Sequence, residues 1–153
     1  MADLNFAEEI AAPAKLVGAF FVPHRMDLWY GTEMDLRFEV QGGAIEFRNG
    51  LKVRLTGRIG KREFTHTAVV TEFERGRVLE WRFQDAYGVR GMQRWEISEV
   101  PNGARVTMRD RYEMPGRAAR FFDWLLTRHA VAKRDRVELQ RLKRLAERQT
   151  ERR

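Results

Sequence analysis

Three ionisable residues interrupt faces of this chain that are otherwise apolar, and chemistry is sought there first. Glu8 shares a strand face with Phe6 and Ile10, and Asp110 shares one with Met108 and Tyr112. His129 falls on a helical stripe with Ala118, Phe122, Leu125 and Ala132. A buried carboxylate facing an imidazole raises the imidazole pKa, while desolvation raises the carboxylate's own. Brought together, with the Tyr112 hydroxyl beside them, such groups could orient a polar head group or move a proton in an aldol-type cyclisation. The same residues would serve equally as a salt bridge at a cavity rim. A one-residue slip in register would turn Glu8 and Asp110 to solvent.

Other chemistries find little support. The chain has no cysteine, which excludes disulfides, thiolate metal sites and a cysteine nucleophile and suits a reducing, cytoplasmic compartment. His24, His66 and His129 belong to different elements without ligand spacing, so neither a metal nor a cofactor is expected. No Gly-x-Ser-x-Gly elbow, Walker loop or Gly-x-Gly-x-x-Gly run is present. The net charge of +7 equals the excess after Pro115, where 12 Lys/Arg stand against 5 Asp/Glu. The basic end "KRDRVELQRLKRLAERQTERR" has no aromatic residue to stack bases, and Asp135, Glu138, Glu147 and Glu151 make helically spaced pairs within it. RNA or anionic lipid are the ligands such a basic end would take, but we read it as a solvated face and expect no nucleic-acid partner. No window approaches the roughly 18 to 20 apolar residues that span a bilayer, so no stable membrane insertion is expected.

The elements that must position these residues follow from periodicity. Leu4, Phe6 and Ile10 alternate as a half-buried strand. Pro13 opens a helix over Ala14 to Phe21, Pro23 ends it, and a second short helix runs through Trp29 before Gly31. Period two returns from Met34 to Val40 and from Leu51 to Ile59. It continues less regularly over Glu63 to Phe73, then around Trp81, from Gly91 to Val100, and from Val106 to Tyr112, with short turns between. After Pro115-Gly116, residues 117 to about 149 lack proline and glycine and predict one helix, its stripe drifting toward Leu139, Leu142 and Ala146. An antiparallel sheet with one apolar face needs a cover, and only that helix is large enough. The pair predicts a container.

The segments "IAAPAKLVGAFF" and "PHRMDLWYG", the later "GVRGMQRWEI" and "PNGARVTMRDRYEMPG", and the terminal helix together resemble the helix-grip superfamily of START and birch-pollen-allergen-like proteins, in its bacterial polyketide cyclase/dehydrase and coenzyme Q-binding branch. The resemblance spans nearly the whole chain. It implies an α+β helix-grip fold in one domain, residues 1–153: a seven-stranded antiparallel sheet wrapped around a long C-terminal helix, with two short helices after the first strand. It also implies a cavity between sheet and helix for a lipid, an isoprenoid or an aromatic polyketide-like molecule. It places the first and last strands side by side under the helix, where Glu8, Asp110 and His129 would meet. The residues expected to touch ligand are Glu8, Leu36, Phe38, Trp81, Phe83, Trp95, Asp110, Tyr112, Phe122, Leu125 and His129. Two rival readings stand beside the binder: a cyclase or dehydratase using Glu8, Asp110, Tyr112 and His129, and a protein-interaction module using the basic helix.

Overall fold

The computed structural model describes residues 1–59, 61–85 and 87–152, without the side chains of Ile59 and Arg62. The chain runs β1 (Ala2–Ile10), α1 (Ala14–Gly18), α2 (Pro23–Met26), β2 (Arg37–Val40), β3 (Lys52–Ile59), β4 (Arg62–Glu74), β5 (Val78–Asp85), β6 (Arg90–Val100) and β7 (Gly103–Glu113). A last helix follows as α3 (Arg117–Phe122), a π turn over Asp123–Thr127, and α4 (Arg128–Glu151). The strands form one antiparallel sheet in the order β1-β7-β6-β5-β4-β3-β2, so β2 to β7 are a meander and β1 closes against β7. This is the helix-grip arrangement, with α4 across the inner face.

Alternation sets that face. On β7, Ala104, Val106, Met108, Asp110 and Tyr112 are buried, and their odd-numbered neighbours are more exposed. Leu51, Val53, Leu55, Ala68, Val70, Leu79, Trp81, Trp95 and Ile97 extend the face across the sheet. Rings fill its centre: Trp81 and Trp95 lie 5.0 Å apart, and Tyr30 sits 5.7 Å from each, edge to face. Trp29, anchored by Nε1 donating to the Phe20 carbonyl at 3.0 Å, closes the cluster from the α2 side.

Three expectations about the elements need correction. The strand read from Met34 begins only at Arg37, because Gly31 and Asp35 adopt left-handed φ of 67° and 47° and enclose a 3-10 turn. Leu36 therefore lies outside β2, buried against Gly31, where a Cβ would come within 2.5 Å of the leucine side chain. The first helix ends at Gly18, and Pro23 begins α2 rather than ending α1.

The third correction concerns the phase of the long helix. Its predicted stripe of Ala118, Phe122, Leu125 and His129 is exposed, and Ala132 is half-buried. The buried residues are Asp123 and then Asp135, Glu138, Leu139, Leu142 and Ala146. Tyr112 at the end of β7 draws Asp123 inward, its hydroxyl donating to Oδ1 at 2.5 Å. The π turn that begins there shifts the inward face by one residue, so that Arg128 comes next, with Nη2 3.6 Å from Asp123 Oδ2.

Candidate functional site

A polar network lies between the inner face and α4. Gln93 is on the same face of β6 as Trp95 and Ile97. Its Oε1 accepts from the Tyr30 hydroxyl at 2.7 Å and from Trp81 Nε1 at 3.0 Å, and its Nε2 donates to Asp110 Oδ2 at 3.3 Å. From α4, Arg134 Nη2 donates to the same Asp110 oxygen at 3.4 Å and to Asp135 Oδ1 at 3.2 Å, and its Nε lies 3.8 Å from Glu138 Oε1. Glu138 Oε1 also accepts from the Gly31 backbone N–H at 3.2 Å, tying the helix to the turn before β2. The three carboxylate side chains are at most 2% exposed, and that of Arg134 is 28% exposed.

Burial governs the protonation of this network. Desolvation pushes the Glu138 carboxyl up to about 7, opposed by Arg134. Desolvation likewise raises Asp135 well above the usual carboxylate range, opposed by Arg134 and reinforced by the nearby Asp110 carboxyl. Burial thus favours the neutral acid at Asp135 and Glu138 and reduces the negative charge that faces Arg134. Burial first, and then Glu138, push the Tyr30 hydroxyl far above its ordinary value, so it remains a donor. Glu138 Oε2 and Trp95 Nε1 have no hydrogen-bond partner among the described residues.

Beside the network the inner face is open to water. Phe38, Phe64, His66 and Phe83 are half-buried, in contrast to the sealed Trp81 and Trp95. His66 stacks on Phe83 at 5.7 Å, and its Nε2 lies 3.9 Å from Asp85 Oδ2. Desolvation lowers its pKa, partly countered by Asp85, and the ring is neutral at pH 7. Gly91 makes room for this wall: a Cβ there would fall 2.6 Å from the Phe83 ring. Tyr112, across from Gly91 in the register, closes the row, its hydroxyl held protonated by burial and Asp123.

The residues singled out in the sequence therefore divide. Phe38, Phe83, Asp110 and Tyr112 belong to the network or the open wall; Trp81 and Trp95 are its floor, at 0% exposure; Leu36 packs behind it. Glu8 lies on the inner face of β1, but it is paired with Val106 in the register, whereas Asp110 is paired with Leu4, and its carboxylate meets Lys143 Nζ at 3.5 Å. His129, Phe122 and Leu125 point to solvent because of the altered helical phase. The expected meeting of Glu8, Asp110 and His129 does not occur. Sequence reading missed Tyr30, Gln93, Arg134, Asp135 and Glu138, and the two acids, expected as solvated ion pairs, are buried. Their signal was available, because Asp135 and Glu138 continue the Leu139, Leu142 and Ala146 stripe, and Gln93 shares parity with Trp95.

A cleft of about 1030 Å³ opens at the other end of the molecule, between α1, α2 and the β4–β5 turn, lined by Lys15, Phe21, Arg25, Phe73 and Arg77. It does not reach the network. Among the described residues no acid, histidine or cysteine cluster is arranged to hold a metal ion, and no helix is long and apolar enough to cross a membrane.

The fold and its buried polar centre define a helix-grip protein. The chain belongs to the polyketide cyclase/dehydrase and lipid transport family, whose model matches residues 1–147. It is similar in structure to protein CV1439 from Chromobacterium violaceum, with a TM-score of 0.71, 13% identity, and coverage of 96% of this chain and 99% of that one. Protein NE0264 from Nitrosomonas europaea gives a TM-score of 0.68 at 15% identity, covering 97% and 96%. DynU16, a protein of the dynemicin biosynthetic locus, gives 0.64 at 18% identity; the match covers 93% of this chain but 46% of DynU16. No curated protein sequence matches significantly.

Proposed function

We propose that the protein binds a small hydrophobic molecule, a lipid, an isoprenoid or an aromatic polyketide-like compound, with its apolar body against Phe38, His66 and Phe83 and its polar end at the Asp110–Arg134–Glu138 network. One observation carries this reading: a charged, hydrogen-bonded network sits inside an apolar interior beside a wall of half-buried aromatics. Apolar side chains of similar volume would stabilise the fold as well as a buried ion cluster does, so stability alone gives no reason for it. Glu138 Oε2 and Trp95 Nε1 are buried polar atoms that the described residues leave unsatisfied. The family's description and the origin of DynU16 in a biosynthetic locus support a small organic ligand.

The test is a titration with the fluorescent apolar probe N-phenyl-1-naphthylamine. Phe83→Asp should weaken its binding about tenfold or more, since a charge replaces the wall, while Leu126→Asp on the exposed helix should leave it unchanged. Binding in the parent should carry a negative heat-capacity change. The reverse pattern, loss at Leu126 and none at Phe83, would sink the reading.

A second reading, proton transfer to or from the bound molecule, rests on Glu138. A carboxyl pushed up to about 7 is poised to give or take a proton at neutral pH. The set that the rival cyclase or dehydratase reading would use, Glu8, Asp110, Tyr112 and His129, does not form one site: the first three bond to Lys143, Arg134 and Asp123 respectively, and His129 is exposed.

A further inference from the structure

Phe121, Phe122, Trp124, Leu125 and Leu126 are 44 to 65% exposed, all within two turns of helix. Asp123, held by Tyr112 and Arg128, is the buried residue of this segment. α3 and the π turn thus present apolar side chains over most of their circumference to water. A helix apolar nearly all round is ordinarily covered.

The charges around this ridge indicate what covers it. Residues 117 to 144 contain nine Lys/Arg and three acids, and all three acids, Asp123, Asp135 and Glu138, are buried. Arg117, Lys133, Arg136 and Arg144 are exposed, as is Arg120, which pairs with Glu113 at 3.2 Å. The register places the start of β1, the end of β7 and the β5–β6 turn at the same end of the sheet, since Ala2 pairs with Tyr112 and Arg90 with Glu113. A Cβ on Gly88 would touch Pro115 at 3.6 Å, which sets that turn beside the root of α3. Met1 and Tyr87, 70% and 58% exposed, therefore border the same end. Bulky aromatics and leucines flanked by exposed cations, with the neighbouring Glu113 held by Arg120, are the pattern that seats a helix in the headgroup region of an anionic bilayer.

We infer that the protein docks reversibly on an anionic phospholipid surface through residues 117 to 133, with the Phe121–Leu126 ridge sunk into the headgroup layer and Arg117 and Lys133 on lipid phosphates. This goes beyond the ligand reading and does not depend on it. The open aromatic wall lies toward the same end, so a docked molecule would face the membrane with its site.

The protein carries its own reporter, because Trp29, Trp81 and Trp95 are 0% exposed and Trp124 is 63% exposed. Adding vesicles of phosphatidylcholine with about a third phosphatidylglycerol to the full chain should shift tryptophan emission to the blue, and co-sedimentation should follow the shift. Leu125→Ser with Leu126→Ser should weaken binding about tenfold or more, and Arg117→Gln or Lys133→Gln about fivefold each. These positions are exposed, so the variants fold. Equal binding to pure phosphatidylcholine would overturn the proposal, as would unchanged binding of the double serine variant, which would reduce the effect to net charge. Self-association on sedimentation that shields Trp124 without vesicles would overturn it in favour of a second copy.

Discussion

Arg134→Met is expected to destabilise the protein by about 3 kcal/mol at neutral pH, lowering the melting temperature by roughly 6 to 12 °C for a domain of this size. The arginine is the cation that faces Asp110, Asp135 and Glu138, three side chains at most 2% exposed. Its removal leaves these buried carboxyls without a balancing cation, and the cluster must take up another proton or remain buried with a net negative charge. The 28% exposure of the Arg134 side chain sets the effect at the low end of the range for broken buried pairs, because water screens part of the interaction. Two features separate this account from a simple loss of packing. The deficit should shrink at pH 5, where the carboxyls are more readily protonated, and Asp110→Asn added to Arg134→Met should recover part of it. Denaturant unfolding of the single and double variants at both pH values measures this. A deficit under about 1 kcal/mol, independent of pH, would mean that Arg134 is a solvated side chain and that the network is no buried ion cluster.

What the sequence revealed and what it hid follow from the range of the forces involved. Strand faces are local, so period two was enough to place Leu55, Trp81, Trp95 and Asp110 on one side of the sheet, and β1 to β7 follow the predicted order. The phase of the last helix is not local. Phe122 and Leu125 make the more apolar stripe, yet Asp123 turns inward because Tyr112, eleven residues earlier, offers its hydroxyl. The π turn then re-phases everything after it. Hydrophobicity also assigned Asp135 and Glu138 to solvent, where most such residues belong. Their burial depends on Gly31 and Asp110 arriving from opposite sides. Tyr30 had no local signature at all, since its role rests on a bond to Gln93 63 residues away.

Glu138→Gln should be close to neutral for stability near pH 5 and stabilising, by up to about 3 kcal/mol, near pH 8. The carboxyl has an ordinary value of 4.5 and is pushed up to about 7 in the folded chain, chiefly by burial. Between those values the folded state holds a proton that the unfolded chain has released. The contribution is fully present below about 4.5 and is lost as the pH rises through 7, at about 1.4 kcal/mol for each pH unit of separation. Asp135, raised for the same reason, gives a slope of the same sign; Asp3, held low by Arg109, and Glu80, held low by the Thr71 hydroxyl and Arg94, give the opposite one. The comparison of variant with parent cancels those and isolates Glu138. Glutamine keeps a carbonyl oxygen to accept from Gly31, and Arg134 keeps Asp110, so the substitution removes the titration and leaves the contacts. If the two stability profiles run parallel from pH 5 to 8, Glu138 does not titrate in this range. If the glutamine variant is the weaker one at pH 8, the residue is an ionised partner of Arg134, and a buried group poised near neutrality is not available for proton transfer.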